Sequence, residues 1–348
     1  MFNPTFTISH AILTDISKIE AVEEVIKHAP LLPLWEKDFR EDAIIRSVHH
    51  GTHIEGNMLE KSEAEDVLKG RDVMARARDV QEVINYRNVI NSIDAIAKEK
   101  NPSITEARIH AIHKIIVQNI LPPEKAGNYR DKRVVIKNSQ TGEITFRPPT
   151  PLEVPYLMKE FIQWINRMGS EDIHPILKAG IVHHEFVRIH PYTDGNGRAA
   201  RILATLVLFI DGYDIRRFFS LEEYYDKDAL SYYENLQRAS AGDMTAWLEY
   251  FTHGAAIEFG RVKDKILRLS KDAKMKDKFG GKQIFLTERQ MRIIEYIQDI
   301  GYVQNKAFDS LFPDLSEDSI LRDIKDLIEK NLVKKIGKTK SARYVLTG

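Results

Sequence analysis

The segment His190-Pro-Tyr-Thr-Asp-Gly-Asn-Gly-Arg198 joins two stretches of helical periodicity, and its reading decides the fold. Upstream, Ala179–Ile189 repeats apolar residues at spacings of three and four, the period of a helix with a buried face. That helix must end near His190, because Pro191 disfavours helical geometry in the residue before it. Downstream, Ala199–Asp211 is almost wholly apolar and is expected to be a buried helix. Between the two, Gly195 and Gly197 bracket Asn196. Glycine takes positive φ without steric cost, so successive backbone N–H groups can converge into an anion-binding nest. The nest falls at the N-terminus of the next helix, where the dipole and unpaired N–H groups favour a phosphate.

The side chains around this nest fit the same chemistry. Arg198 and Arg201 are spaced i,i+3, which puts both guanidinium groups on one helix face. Asp194 offers a hard oxygen ligand for Mg²⁺, an ion that shares its coordination with substrate phosphates. His190 belongs to the residue type that titrates near neutrality and serves as a general base. Base, metal ligand, nest and two arginines are the parts of phosphoryl or nucleotidyl transfer. A zinc site of His183, His184 and His190 lacks the HExxH pattern, since Arg188 stands fourth after His184. His183 is therefore assigned to packing.

The run resembles the Fic motif, H-x-F-x-D/E-G-N-G-R-x-x-R. It matches at His190, Asp194, Gly195, Asn196, Gly197, Arg198 and Arg201, with Tyr192 where phenylalanine is usual. Ile181-Val-His183-His-Glu-Phe-Val-Arg-Ile189 resembles the helix that precedes the motif in that family. The resemblance implies a mainly α fold, a Fic-type helical domain with a β-hairpin flap. It implies an adenylyltransferase moving AMP from ATP to a Ser, Thr or Tyr hydroxyl of a protein, the chain itself included. His190 would deprotonate the hydroxyl, and Asp194 would hold Mg²⁺ at the α- and β-phosphates. The backbone from Gly195 to Gly197, with Asn196, would seat the phosphates, and Arg198 and Arg201 would clamp the distal ones. Removal of AMP from a modified protein, or transfer of another phosphate-containing group, is the alternative at the same site, and a DNA-binding regulator with an accessory Fic domain is the alternative of a different class.

Two short β-prone runs, Arg133–Ile136 and Glu143–Phe146, flank Asn138-Ser-Gln-Thr-Gly142 and suggest a hairpin. With Gly127-Asn-Tyr-Arg130 before it and Pro148-Pro149 after it, this resembles the flap that aligns a target main chain by strand addition. Tyr224-Tyr225 and Tyr232-Tyr233 resemble the stretch lining the family's adenine pocket, with Tyr233 stacking on the base. Thr52-His-Ile-Glu55-Gly-Asn57 resembles the inhibitory motif S/T-x-x-x-E-G/N, whose glutamate pairs with a motif arginine, here Arg201. Gly51 occupies the position where that motif has its hydroxyl.

Other helical periods cover Val80–Ala97, Ile104–Ile120 and Leu152–Met168, so four regions are expected. Residues 1–100 form a helical region with the inhibitory motif, and 101–260 the catalytic domain. Residues 261–282 form a basic helix tail and linker containing Gly280-Gly281, and 283–348 a small domain. In that domain Thr287-Glu-Arg-Gln290 fits a capping box opening a helix. Ser316–Asn331 is amphipathic, and Val333–Ile336 and Ala342–Leu346 flank Gly337-Lys-Thr-Lys340 as a hairpin. The order resembles a winged helix-turn-helix domain. Its presumed recognition helix has five acidic and three basic residues, with Glu317 and Asp318 at its start. Carboxylates there repel DNA phosphates. DNA contact is left to the wing lysines, and a protein-interaction role is equally expected.

Lys+Arg and Asp+Glu both number 51 among 348 residues, so no global charge draws the chain to polyanions. The absence of cysteine excludes disulfides, a thiolate nucleophile and Cys-ligated zinc. Met1–His10 has no basic run followed by an apolar core, and no stretch has membrane-span length. A cytoplasmic protein without membrane contact, self-associating as a homo-oligomer, is the expectation.

Overall fold

The computed structural model describes residues 2–28, 33–137, 144–167, 173–213, 217–278, 286–313, 315–337 and 342–347. The hairpin loop expected at Asn138–Gly142, Gly280-Gly281 and the tip residues 338–341 lie outside them. The chain is mainly helical and divides into two units, Met1–Leu267 and Arg268–Gly348.

In the first unit the order is α1 (His10–His28), α2 (Pro33–His53), α3 (Lys61–Leu68), α4 (Ala77–Ala97), α5 (Glu106–Ile116), β1 (Ile136–Lys137) and β2 (Ile144–Phe146). It continues as α6 (Val154–Ile165), α7 (Pro175–Ile189), α8 (Asn196–Ile210), α9 (Leu221–Lys227), α10 (Ala229–Ala239) and α11 (Thr245–Lys278), which runs on past Leu267. The core pair is α7 and α8. Ile181, Val182, Phe186 and Ile189 on one, and Ala200, Leu203, Leu206 and Leu208 on the other, are at most 1% exposed. The residues of a two-sided apolar pattern thus fill the centre of a helical bundle.

Helix ends follow backbone chemistry that periodicity does not register. The segment Ile104–Ile120 is helical only over Glu106–Ile116. Thr105 caps its start by accepting from Arg108 N at 3.2 Å, and Asn119 with φ 59° lies beyond its end. The segment Leu152–Met168 is helical over Val154–Ile165. The hairpin is also shorter than its β-prone runs. Ile136 pairs with Phe146 and Lys137 with Ile144 in an antiparallel ladder, and Val134 and Val135 lie outside it.

α2 is fixed by buried charge. Arg46 Nη1 donates to Glu223 Oε2 at 2.9 Å and Glu258 Oε2 at 3.1 Å, and Nη2 to the Phe218 carbonyl at 3.0 Å. These bonds tie α2 to α9 and α11. The basic stretch after residue 260 remains helical to Lys278, and its first turn is anchored by Arg261 to Glu223 at 2.7 Å.

The second unit contains α12 (Glu288–Ile300), a 3-10 turn at Asn305–Ala307, α13 (Phe308–Leu311), α14 (Glu317–Glu329), β3 (Val333–Ile336) and β4 (Arg343–Leu346). The capping box is formed. Gln290 N donates to Thr287 Oγ1 at 3.2 Å, and Thr287 N to Gln290 Oε1 at 3.0 Å. Val333 pairs with Leu346 and Ile336 with Arg343 across the terminal hairpin. Ile293, Ile297, Phe308, Ile324 and Leu327 form a separate core.

Candidate active site

α7 stops where Pro191 requires it to. His190 is the C-cap in left-handed geometry, φ 50° and ψ 59°, and its N–H still bonds the Phe186 carbonyl at 3.0 Å. Gly195 then starts α8 with φ 79°, a conformation that favours glycine. The loop between them is closed by Asn196. Its Oδ1 accepts from Tyr192 N at 2.9 Å, and its Nδ2 donates to the Tyr192 carbonyl at 2.8 Å. The Asn196 side chain is thus spent on the loop itself, leaving the backbone to face a ligand.

Tyr192 packs beneath this loop, as its substitution for phenylalanine allows. It is fully buried and stacks on His113 with ring centroids 3.6 Å apart and planes 7° from parallel. Its hydroxyl meets His110 Nδ1 at 2.8 Å. His113 is a positioning residue that local spacing does not reveal. Gly127 N donates to its Nδ1 at 2.9 Å, which leaves the Nε2 proton to donate to the Asp194 carbonyl at 2.9 Å. Burial keeps it neutral, lowering its pKa to about 4. Arg130, just before the flap, holds the other end of the loop. Its Nε donates to the His190 carbonyl at 2.8 Å and its N–H to the Pro191 carbonyl at 2.9 Å.

His190 Nδ1 lies 3.3 Å from the Val187 carbonyl oxygen, an acceptor only, so Nδ1 carries the proton and Nε2 the lone pair. Burial, with Arg130 nearby, lowers its pKa to about 4, so the ring is neutral at pH 7. His183 is buried instead among Tyr225, Tyr232, Trp247 and Phe251 and bonds the Tyr232 hydroxyl through Nε2 at 2.9 Å.

The two motif arginines do not share one partner. Arg201 Nη2 donates to Glu55 Oε1 at 2.9 Å and to the Gly51 carbonyl at 2.8 Å. Its guanidinium is buried, with Nε and Nη1 lacking an acceptor in hydrogen-bond geometry among the described residues and the Tyr86 and Tyr232 hydroxyls alongside. A Cβ added at Gly197 would run into Glu55 Oε1, so the carboxylate lies against the first turn of α8. Gly51 has its own reason to be glycine. A Cβ there would stand 2.7 Å from the Tyr86 ring, which leaves no room for the hydroxyl residue of the inhibitory motif. Tyr233 donates its hydroxyl to the Ile54 carbonyl at 3.1 Å, one residue before Glu55, and is otherwise 46% exposed.

Arg198 turns the other way. Its Nη2 donates to Asp194 Oδ1 at 3.0 Å, and its Nη1 lies 3.2 Å from Glu82 Oε1. The second oxygen of Asp194 accepts from Arg78 Nη2, on α4, at 2.8 Å. Burial acts to raise the Asp194 carboxyl, but Arg198 and Arg78 outweigh it and hold the group below the usual carboxylate range. Among the described residues no group of three or more His, Cys, Asp or Glu is arranged to hold a metal. Mg²⁺ asks for less than that, because it binds through one or two carboxylates and takes the rest from phosphate and water. An ionised, partly exposed Asp194 beside a helix N-terminus fits that demand. Among the described residues no helix is long and apolar enough to cross a membrane.

The Fic/DOC family description matches residues 103–208. Protein adenylyltransferase Fic of Nematostella vectensis is 28% identical over 243 residues, covering 68% of this chain and 52% of that protein. The protein of the same name in Aedes aegypti is 29% identical over 216 residues, covering 62% of this chain and 40% of that one. The chain thus spans about half the length, or less, of these curated relatives. A solved Fic family protein from Desulfovibrio desulfuricans G20 has a TM-score of 0.65 at 21% identity, covering 100% of this chain and 99% of its own. Fic-1 of C. elegans has a TM-score of 0.61 at 23% identity, covering 75% of this chain and 74% of that one. Both share the fold. Residues 103–208 of this chain match the Fic/DOC family, and segments outside that span bring Glu55, in the turn after α2, Arg78, on α4, and Tyr233, on α10, to its motif.

Proposed function

We propose that the chain is a protein adenylyltransferase, transferring AMP from ATP to a protein hydroxyl and restrained by Glu55. The observation that carries this reading is the meeting of a neutral His190 with an anion seat at Gly197 and Arg201 that Glu55 fills. A carboxylate bonded to a buried guanidinium at a helix N-terminus stands in for a phosphate oxygen, and ATP competes with it for the same donors.

In the forward reaction His190 Nε2 takes the proton of the target hydroxyl. The hydroxyl oxygen forms a bond to the α-phosphorus of ATP, the bond from that phosphorus to the bridging oxygen breaks, and pyrophosphate leaves. The α8 N-terminal N–H groups and Arg201 receive the phosphates, with Arg198 held one turn back by Asp194 and Glu82. Asp194 would hold Mg²⁺, which when bound would supply charge neutralisation at the phosphates. Arg130 and His113 fix the loop, which orients the base. Tyr233 flanks the adenine, and the β1–β2 edge receives the target main chain.

The second unit fits a winged helix-turn-helix domain in its element order, and the acidic start of α14 favours protein contact over DNA. A cytoplasmic setting, a protein target and self-association complete the reading. The test is incubation of the Glu55→Gly chain with ATP labelled at the α- or the γ-phosphate, followed by mass analysis of the chain and lysate proteins. Retention of the α-label alone on protein supports AMP transfer. Retention of the γ-label replaces it with phosphoryl transfer, and labelling by neither removes it.

A further inference from the structure

The Asp194 carboxylate, the expected Mg²⁺ ligand, faces a cation of the chain's own. Arg78 Nη2 donates to Asp194 Oδ2 at 2.8 Å, while Arg198 holds only Oδ1. Arg78 belongs to the first turn of α4, outside the span of the Fic/DOC domain, and its side chain is 56% exposed. Its neighbours tie it to the restraining segment. Arg78 Nε donates to Glu82 Oε1 at 3.1 Å. Glu82 Oε2 accepts from Asn57 Nδ2 at 3.1 Å, and the same Nδ2 donates to the Asp79 carbonyl at 3.0 Å. Asn57 is buried and follows Glu55 by two residues. Arg76 also reaches this segment, donating to the Gly56 carbonyl at 3.3 Å. The turn that presents Arg78 and the turn that presents Glu55 are therefore one hydrogen-bonded piece.

We propose that Arg78 is a built-in competitor of Mg²⁺ at Asp194, the cationic counterpart of Glu55. The inference rests on the nucleotidyl-transfer reading and deepens it. Glu55 satisfies the guanidinium that a distal phosphate would take, and Arg78 satisfies the carboxylate oxygen that the metal would take. The resting site is neutralised on both sides by residues from the N-terminal region. Mg²⁺ and nucleotide must displace both, and the Asn57–Glu82 links make the two displacements favour one another. An exposed guanidinium suits this role because it leaves a carboxylate at little cost. A partly exposed ion pair contributes about 0.2–1 kcal/mol, enough to set a threshold but too little to block the metal.

The experiment uses the full chain carrying Glu55→Gly, so that nucleotide enters, and measures ATP binding by calorimetry while Mg²⁺ is varied. His190→Ala is included to prevent turnover. Adding Arg78→Gln should lower the Mg²⁺ concentration for half-maximal binding by about 1.4- to 5-fold, the range an exposed pair supports. The two curves should converge at saturating Mg²⁺, the signature of competition, and Arg78→Lys should stay near the parent. An unchanged half-saturation overturns the role of Arg78 alone, since nucleotide still binds. A loss that persists at saturating Mg²⁺ also overturns it, by making Arg78 a nucleotide contact or a structural support. Failure of the Glu55→Gly, His190→Ala chain to bind ATP at any Mg²⁺ concentration removes the nucleotidyl-transfer reading as well. Melting temperatures of the three chains separate all of these from unfolding.

Discussion

Glu55 Oε1 stands 2.9 Å from Arg201 Nη2 and close to where a Cβ on Gly197 would lie, so one carboxylate bonds an arginine and packs against the first turn of α8. The same Arg201 nitrogen also holds the Gly51 carbonyl at 2.8 Å, which bonds the end of α2 to the motif helix. Replacing Glu55 by glycine frees the guanidinium without removing the Gly51 bond. A charge-assisted hydrogen bond of about 1.5–3 kcal/mol corresponds to roughly 10- to 100-fold in an equilibrium. Glu55→Gly should raise ATP affinity by that order and raise self-labelling with it. Calorimetry and α-labelled ATP read the two effects, and unchanged values for both would falsify the restraint.

His190→Ala should separate chemistry from binding. The ring is held by the Val187 carbonyl at Nδ1, and its backbone by the Phe186 carbonyl and by Arg130, and none of these contacts reaches the α8 N-terminus or Arg201. Loss of a positioned base typically costs about 10²–10⁴-fold in rate. In the Glu55→Gly background the alanine variant should bind ATP within about two-fold of its parent while labelling falls by that factor. Labelling at the parental rate would assign the base elsewhere.

The acidity of His190 makes a further prediction. Burial lowers its pKa to about 4, and a protonated ring cannot accept a proton, so activity falls as pH drops through that value. In the Glu55→Gly chain kcat/KM should therefore stay level from about pH 8 to about pH 5.5, with the acid limb below that range. Glu55 raises the His190 pKa, so its removal moves the limb to still lower pH. A limb centred near the ordinary histidine value of about 6.5 would show that the ring is solvated in the working enzyme.

The motif could be read from the chain because its geometry is local. Gly195, Asn196 and Gly197 sit at a helix start, and their spacing dictates the loop. Glu55 was legible too, from a short motif with a charge to match. The partners that complete the site carry no such signal. Arg78 is separated from Asp194 by 116 positions and His113 by 81, and neither lies in a pattern of its own. Their roles arise only when α4 and α5 pack beside α8. Periodicity likewise reported apolar faces but not helix ends. It continued α5 past Val117 because Ile120 keeps the apolar period, whereas the backbone turns at Asn119. β-branched Val134 and Val135 looked like strand yet pair with nothing in the ladder, which begins at Ile136.

Removing residues 283–348, most of the second unit, should leave the chemistry in place. Glu55, Arg78, His190, Asp194, Arg198, Arg201 and Tyr233 all lie within the unit Met1–Leu267. A chain without Gln283–Gly348 retains the whole of α11, including the Arg261 and Lys265 ion pairs to Glu223 and Asp42. It should melt cooperatively and bind ATP in the Glu55→Gly background within about two-fold of the full chain, the scatter expected for independent sites. A loss of ATP binding with folding preserved would mean that the terminal unit contributes to the nucleotide site.

Arg46 tests how α2 is held. Its guanidinium is buried with Glu223 and Glu258, at 2.9 and 3.1 Å, and the side chains of all three are at most 6% exposed. Removing one member of such a cluster leaves uncompensated charge in a poorly solvated place, at a typical cost of about 3–5 kcal/mol. Arg46→Ala should lose that much stability at pH 7, measured by denaturant unfolding. The sign of its pH dependence follows from the two carboxyls. Burial acts to raise Glu223, but Arg261, Lys227 and Arg46 outweigh it and hold it well below the usual range. Burial holds Glu258 above that range. Stability from a depressed carboxyl is present above its unfolded pKa and is lost as pH falls toward the folded one. In the variant both groups lose Arg46 while Arg261 stays beside them, so they accept protons at higher pH than in the parent, which relieves the buried charge. The gap between parent and variant should therefore narrow as pH is lowered from 7 toward 4. A gap that stays constant across that interval would mean that Arg46 stabilises α2 by packing rather than by charge.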